Sequence, residues 1–259
     1  MLVEKTFETD SGTLNYAEGP DSGPPLILLH GITANWTTFM PLAATLSQRW
    51  HIYALDFRGH GKSSRVSGQY RLVDHDEDTL QFIRSNFDEP PTIIGHSLGG
   101  MVGIMLAAQH PELVRALIVG DSLLYKETVA AFLENRGDMR EKQDQLRSTS
   151  CVDEMALAVQ TPRQGAFQRW QAKAHTMLDP DILEFYSEEY DCESLLSRIS
   201  CPVLLLQATV MADSDVERAL GQLQKGYVVR FPELDHGLHL ETQGYQVVNA
   251  ICLFLESLR

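Results

Sequence analysis

The sequence predicts an α/β chain built on a doubly wound, mostly parallel sheet with helices on both faces. Three observations carry this expectation. Short, uninterrupted apolar runs recur along the chain, as strands buried on both faces require. Longer stretches with helical patterning separate them. One run leads straight into a glycine-rich turn, Gly95-His96-Ser97-Leu98-Gly99-Gly100, that opens a further apolar helix.

In chain order, the runs near 2–7 and 13–18 have no helix between them and read as an antiparallel hairpin on the sheet edge. Leu26–His30 follows Pro24-Pro25, and His51–Asp56 precedes Arg-Gly-His-Gly. Thr92–His96 follows a second Pro-Pro, and Ala116–Gly120, Pro202–Leu206 and Tyr227–Phe231 complete the strands. Helices are expected at about 36–49, 74–86, 98–109, 214–224 and 241–258. Residues 123–198 break the rhythm: they hold no convincing strand and are rich in helix-favouring Glu, Gln, Arg, Ala and Met. They also carry Phe132, Met155, Phe167, Trp170, Met177, Phe185 and Tyr186, as a lid over a pocket would, although most of these side chains are expected to pack the insertion's own small core. The expected division is therefore a core of 1–122 and 199–259 with a helical cap at 123–198.

The 259 residues suffice for one large domain or two small ones, and 44% hydrophobic with 22% charged residues is ordinary globular composition. Lys plus Arg number 21 against 35 Asp plus Glu, for a formal charge of −14. Such a surface repels phosphate backbones and anionic lipid headgroups, so neither nucleic acid nor membrane is an expected partner. The start, MLVEKTFETD, lacks the basic and apolar regions of a signal peptide. Cys151, Cys192, Cys201 and Cys252 form no CxxC pair, so no disulfide framework or zinc site is implied, and a reducing cytoplasm fits best. The acidic stretch Asp74–Asp78 lacks the glycine and spacing of a calcium loop and reads as an acidic first helical turn.

The chemistry centres on Ser97. A strand before, a helix after and glycines at 95 and 99 are the context of a nucleophile elbow, where a tight turn lifts the serine hydroxyl to the carboxyl end of the sheet. A serine hydroxyl needs a base, and His236, in the loop after the last strand, is placed to supply it. His239, three residues on, reads as a packing or capping residue. The oxyanion of a tetrahedral intermediate needs N–H donors. Leu98, at the positive end of its helix, offers one, and the loop His30-Gly31-Ile32-Thr33 offers a second at Ile32, with His30 and Gly31 shaping the loop.

These segments, with Asp56-Phe-Arg-Gly-His-Gly-Lys-Ser63, resemble the α/β-hydrolase superfamily in order and spacing from about residue 12 to the C-terminus. The resemblance implies an eight-stranded, mostly parallel sheet with a helical cap after strand six. It also implies Ser97 as nucleophile, His236 as base and the Ile32 and Leu98 N–H groups as oxyanion hole. The acid is where the match fails. Most relatives carry it after strand seven in a Gly-x-x-Asp segment, and Met211 stands at that position in Gln207–Asp215. Asp121, directly after strand six, is the preferred acid and Asp213 the alternative, with Asp215 also within reach of a reshaped loop. Asp213 or Ser214 also suits a helix N-cap.

The expected activity is hydrolysis of a small-to-medium carboxylic ester or lactone through an acyl-enzyme, without metal or cofactor. A carbon–carbon bond hydrolase, a thioesterase or an amidase would use the same triad, and a receptor-like member would bind with little turnover. Trp36, Trp170, Met177 and Tyr186 are candidate pocket residues.

Overall fold

In the computed structural model the described residues are 2–134, 137, 140, 141, 144, 173–183, 190–237 and 245–258. Eight strands form one sheet in the order β1-β2-β4-β3-β5-β6-β7-β8. Strands β1 (Val3–Thr9) and β2 (Gly12–Glu18) make the expected edge hairpin, and β2 also runs antiparallel to β4 (His51–Leu55). From β4 onward every pairing is parallel: β3 (Pro25–Leu29), β5 (Thr92–His96), β6 (Ala116–Gly120), β7 (Val203–Gln207) and β8 (Gly226–Arg230).

The period of two along each strand sends alternate residues to two hydrophobic layers. Leu26 and Leu28 of β3 join Ile52, Ile94, Ile118 and Leu206 on one face, covered by α1 (Met40–Leu46) and by the helix Tyr245–Ser257. Ile27 and Leu29 join Ile93, Leu117, Val119 and Leu205 on the other, covered by α2 (Leu72–Asn86) and α3 (Leu98–Gln109). Both faces of the central strands are helix-covered, which is why these strands read as continuous apolar runs rather than alternating ones.

Differences from expectation are local. The helix expected from residue 36 opens as a single 3-10 turn, Trp36–Phe39, capped by the Asn35 side chain, which accepts from the Thr37 N–H at 3.0 Å. Helix α2 begins two residues early, its start fixed by Asp74, which accepts from the Arg71 N–H at 2.8 Å. The acidic stretch does open this helix, with Asp74 in its first turn. Asp74, Asp76 and Asp78 are all buried, and Asp78 takes a bidentate pair of hydrogen bonds from the buried Arg58 at 2.6 and 2.7 Å.

After β6 the chain leaves the sheet through α4 (Lys126–Glu134) and returns through the short α5 (Glu193–Leu196) to β7. Much of the 123–198 insertion lies outside the described residues, including Cys151, Met155, Phe167, Trp170, Phe185 and Tyr186. Its described parts pack into the α2–α3 layer through Val129, Leu178, Ile182, Leu183, Tyr190 and Leu196. The hydroxyl of Tyr70 donates to Asp179 at 2.6 Å and the Asp179 N–H to the Gly59 carbonyl at 2.8 Å, tying that stretch to the loop after β4. The last two helices are α6 (Asp213–Gln222) and α7 (Tyr245–Ser257). No helix among the described residues is long and apolar enough to cross a membrane.

Candidate active site

Ser97 sits between β5 and α3 with φ 51° and ψ −116°, a left-handed conformation rare for a residue with a side chain. The strain is held from three sides. The Ser97 N–H donates to the Gly120 carbonyl at 2.9 Å, and its own carbonyl accepts from the Gly100 and Met101 N–H groups. A serine at a helix start ordinarily caps it, but this hydroxyl makes no capping hydrogen bond. The flanking glycines are steric necessities. A Cβ on Gly95 would stand 2.2 Å from the Gly99 carbonyl oxygen, and one on Gly99 would stand 2.1 Å from that of Leu29. The Gly99 requirement thus comes from close approach to β3, not from a clash within the turn.

His236 lies in the loop after β8, with its Nδ1–H donating to Asp121 Oδ2 at 2.9 Å. A carboxylate only accepts, so the proton is on Nδ1 and Nε2 is left as the basic nitrogen. Asp121 is fully buried, at φ 40°, directly after β6. Its carboxylate also accepts from the N–H groups of Ala208, Thr209, Val210 and Met211, at 2.9 to 3.2 Å. Burial pushes its pKa up, but the hydrogen bonds from His236 and the loop amides outweigh burial and hold it below the ordinary 3.8. The segment that carries Met211 in place of an acid therefore gives four backbone donors to Asp121.

The alternative acids are elsewhere. Asp213 is exposed at the first turn of α6, where it accepts from Gln207 Nε2 at 2.7 Å and approaches Arg230 Nε at 3.9 Å. The N-cap of α6 is Ala212, so neither Asp213 nor Ser214 caps it. The Asp215 N–H is bound to the Ala212 carbonyl in the same turn.

The loop after β3 is fixed against this centre. A Cβ on Gly31 would stand 3.1 Å from His96 Nδ1 and 3.3 Å from the Ser97 Cβ. His30 donates from Nδ1 to the Gly31 carbonyl at 2.8 Å and accepts at Nε2 from the Phe57 N–H at 3.1 Å. His60 Nε2 is 2.7 Å from the Ile32 carbonyl oxygen. Burial pushes both rings down, His60 to about 4 and His30 well below 6.5, so they act as neutral struts. Among the described residues the Ile32 and Leu98 N–H groups donate to nothing, although both residues are buried.

A family model for the alpha/beta hydrolase fold matches residues 24–242. The chain belongs to the alpha/beta hydrolase family. It is 39% identical over 129 residues to 2-(acetamidomethylene)succinate hydrolase of Mesorhizobium japonicum, covering 50% of this chain and 46% of the relative. It is 25% identical over 170 residues to (E)-2-((N-methylformamido)methylene)succinate hydrolase of Acinetobacter baylyi, covering 65% of this chain and 59% of the relative. The matches thus span about half the length of these curated relatives. The crystal structure of E-2-(acetamidomethylene)succinate hydrolase superposes with a TM-score of 0.80 at 22% identity, over 99% of this chain and 100% of that one.

The hydrolase fold brings Ser97, Leu98, Gly31, His96, His236 and Asp121 into one neighbourhood at the carboxyl ends of β3, β5 and β6. Trp36 does not belong there. Its indole N–H donates to Glu4 on the far edge strand at 3.0 Å, and its ring packs against the α1 layer, because its backbone N–H is pinned to the Asp56 carboxylate at 2.7 Å. Met177 is half-buried in a turn bonded to Ala174, in the stretch tied to Gly59 and Tyr70. Trp170, Tyr186 and His239 lie outside the described residues.

Sequence reasoning missed His96. Its Nε2–H donates to the His236 carbonyl at 2.6 Å and its ring lies 4.6 Å from the His236 ring, so the residue before Ser97 anchors the loop that carries His236. Burial, then the charge of a protonated His236, pushes its pKa to about 3, which keeps it a neutral donor. Its place beside Ser97 was the available signal. Among the described residues no group of three or more His, Cys, Asp or Glu is arranged to hold a metal ion.

Proposed function

We propose that this chain is a serine hydrolase that cleaves a small-to-medium carboxylic ester or lactone through an acyl-enzyme on Ser97. The observation that carries the reading is the 2.9 Å His236–Asp121 pair beside a strained serine whose hydroxyl does not cap its helix. His236 Nε2 takes the Ser97 proton as Oγ attacks the carbonyl carbon. The buried Asp121 carboxylate holds the imidazole in this tautomer and stabilises the imidazolium. The Ile32 and Leu98 N–H groups receive the oxyanion, at roughly 3–4 kcal/mol of barrier each. His236 then protonates the leaving alcohol, and a water activated by the same nitrogen clears the acyl group. No metal or cofactor enters these steps.

A second reading is favoured by the names of the two curated relatives, both of which describe hydrolases of amide-bearing methylenesuccinates. The same groups would then expel an amine-side leaving group, and the substrate would carry carboxylates. One experiment separates the two: turnover of p-nitrophenyl acetate through dodecanoate and of (E)-2-(acetamidomethylene)succinate, with Ser97→Ala alongside. Fast short-chain ester turnover, lost in the variant, supports the ester reading. Turnover of the amide alone moves the assignment to the second. Activity unchanged in Ser97→Ala overturns both, and no turnover by folded wild type favours a ligand-binding role.

A further inference from the structure

The loop that cradles Asp121 is held by a residue that no part of the proposed chemistry uses. Gln207, the last residue of β7, is buried, and its Nε2 donates to the Met211 carbonyl at 3.0 Å and to Asp213 Oδ1 at 2.7 Å. Both partners can only accept, so the orientation of the amide is fixed by chemistry. The bond to Met211 closes the turn 207–211, the same turn whose four N–H groups converge on the Asp121 carboxylate. On the main chain, the Gln207 carbonyl accepts from the Phe231 N–H at 2.8 Å, five residues before His236. One residue thus grips the acid's loop with its side chain and the base's loop with its backbone.

Packing does not do this work. A cleft of about 300 Å³ borders the loop, lined by Gln207, Met211, Asp213, Arg230 and Phe231 among others. The Gln207 Oε1 is buried without a hydrogen-bond partner among the described residues.

We infer that Gln207 is a positioning residue for catalysis, holding the 208–211 amides on Asp121 and through Asp121 the His236 imidazole. The inference rests on the serine-hydrolase reading above. Small displacements of a catalytic array cost rate steeply, so losing the tie is expected to slow Ser97 activation without abolishing it.

The test is the rate at which a fluorophosphonate labels Ser97 in the full chain, a reaction in which the Oγ–P bond forms, fluoride leaves and His236 takes the proton. Gln207→Ala is expected to slow labelling about 10- to 100-fold in the wild-type background and hardly at all in Asp121→Asn, because a residue acting through Asp121 is silent once that carboxylate is lost. Equal slowing in both backgrounds, or none in wild type, overturns the inference. Gln207→Glu guards against a misfolded double variant. Its carboxylate cannot donate to Met211 but its protonated form can, so its rate relative to wild type is expected to recover from about pH 8 to about pH 6. A flat ratio overturns the inference. Wild type that is not labelled, or labelling that persists in Ser97→Ala, sinks the serine-hydrolase reading and this one with it, whereas normal Ser97-dependent labelling indifferent to Gln207 sinks this one alone.

Discussion

Asp121 is held by five donors: the His236 Nδ1–H and the N–H groups of Ala208, Thr209, Val210 and Met211. Both of its oxygens accept from backbone, Oδ1 from Ala208 and Met211 and Oδ2 from Thr209, with Val210 shared between them. An asparagine there must turn its NH₂ toward N–H groups whichever way the amide is flipped. Sequence alone suggests that Asp121→Asn would spare the fold, since under the proposed function this carboxylate needs only to orient the histidine. The cradle argues otherwise. Asp121→Asn is expected to lower turnover by on the order of 10³–10⁴, because the imidazole loses its tautomer. It is also expected to cost roughly 1–3 kcal/mol of stability for the donors left unanswered in the interior. Urea denaturation of the variant beside Ser97→Ala checks the second half. Equal midpoints for the two would mean that the loop relaxes freely and that the cradle is loose. Asp213→Asn, by contrast, should leave turnover within a few-fold of wild type, since that exposed side chain faces Gln207 and Arg230 and not His236.

The unit β5–Ser97–α3 works as one element, and its glycines differ in what they do. The Gly99 N–H donates to the His30 carbonyl at 3.0 Å, and a Cβ there would meet the Leu29 carbonyl at 2.1 Å. Backbone cannot give way as a flexible side chain does, so Gly99→Ala is expected to cost roughly 3 kcal/mol and to push α3 off the loop that carries Ile32. Gly221, in α6, has nothing within 4 Å of its would-be Cβ. Gly221→Ala is expected to raise stability by about 0.5–1 kcal/mol through reduced backbone entropy. Thermal unfolding of both variants, with turnover, checks the pair; two changes of the same sign would refute the steric argument. Much of this element was legible beforehand. Ala116–Gly120 is β6 residue for residue, and the glycine pattern marked the elbow, because burial on both faces and a tight turn each restrict residue type locally. What was not legible depends on partners distant in sequence. The Arg58 partner of Asp78 lies 20 residues away and leaves no local mark, Trp36 looks like a pocket wall until Asp56 pins its backbone, and a loop without an acid looks deficient until Asp121 enters it.

At the scale of the whole molecule, the buried ionisable groups set how stability follows pH. Burial pushes His30 and His75 well below 6.5, His60 to about 4 and His96 to about 3. Each takes up its proton near pH 6.5 in the unfolded chain and only at its lower folded value in the native one, so each contributes stability that is present above pH 6.5 and lost as pH falls toward that folded value. Asp121, with its lowered pKa, adds to this loss below 3.8. Asp56 and Asp76 act the other way: burial raises them to about 6 and about 7, so the folded state takes up their protons first and these sites favour folding as pH falls. Four imidazoles against two carboxyls leave a net of about two protons near pH 5, or roughly 2–3 kcal/mol of stability lost per pH unit at about 1.4 kcal/mol per proton. The net charge of −14 predicts the opposite trend, since acid relieves self-repulsion, so the sign of the slope distinguishes buried groups from surface charge. His75, packed with its ring 5.0 Å from Phe57 and 6.0 Å from His60, touches no group of the proposed mechanism. His75→Leu is expected to flatten the slope by about one proton while leaving turnover intact. Urea midpoints measured from about pH 4.5 to about pH 7 decide it. A slope unchanged in His75→Leu would mean that this imidazole is protonated in the folded protein, and the neutral ring cluster under the Ile32 loop would have to be redrawn as a charged one.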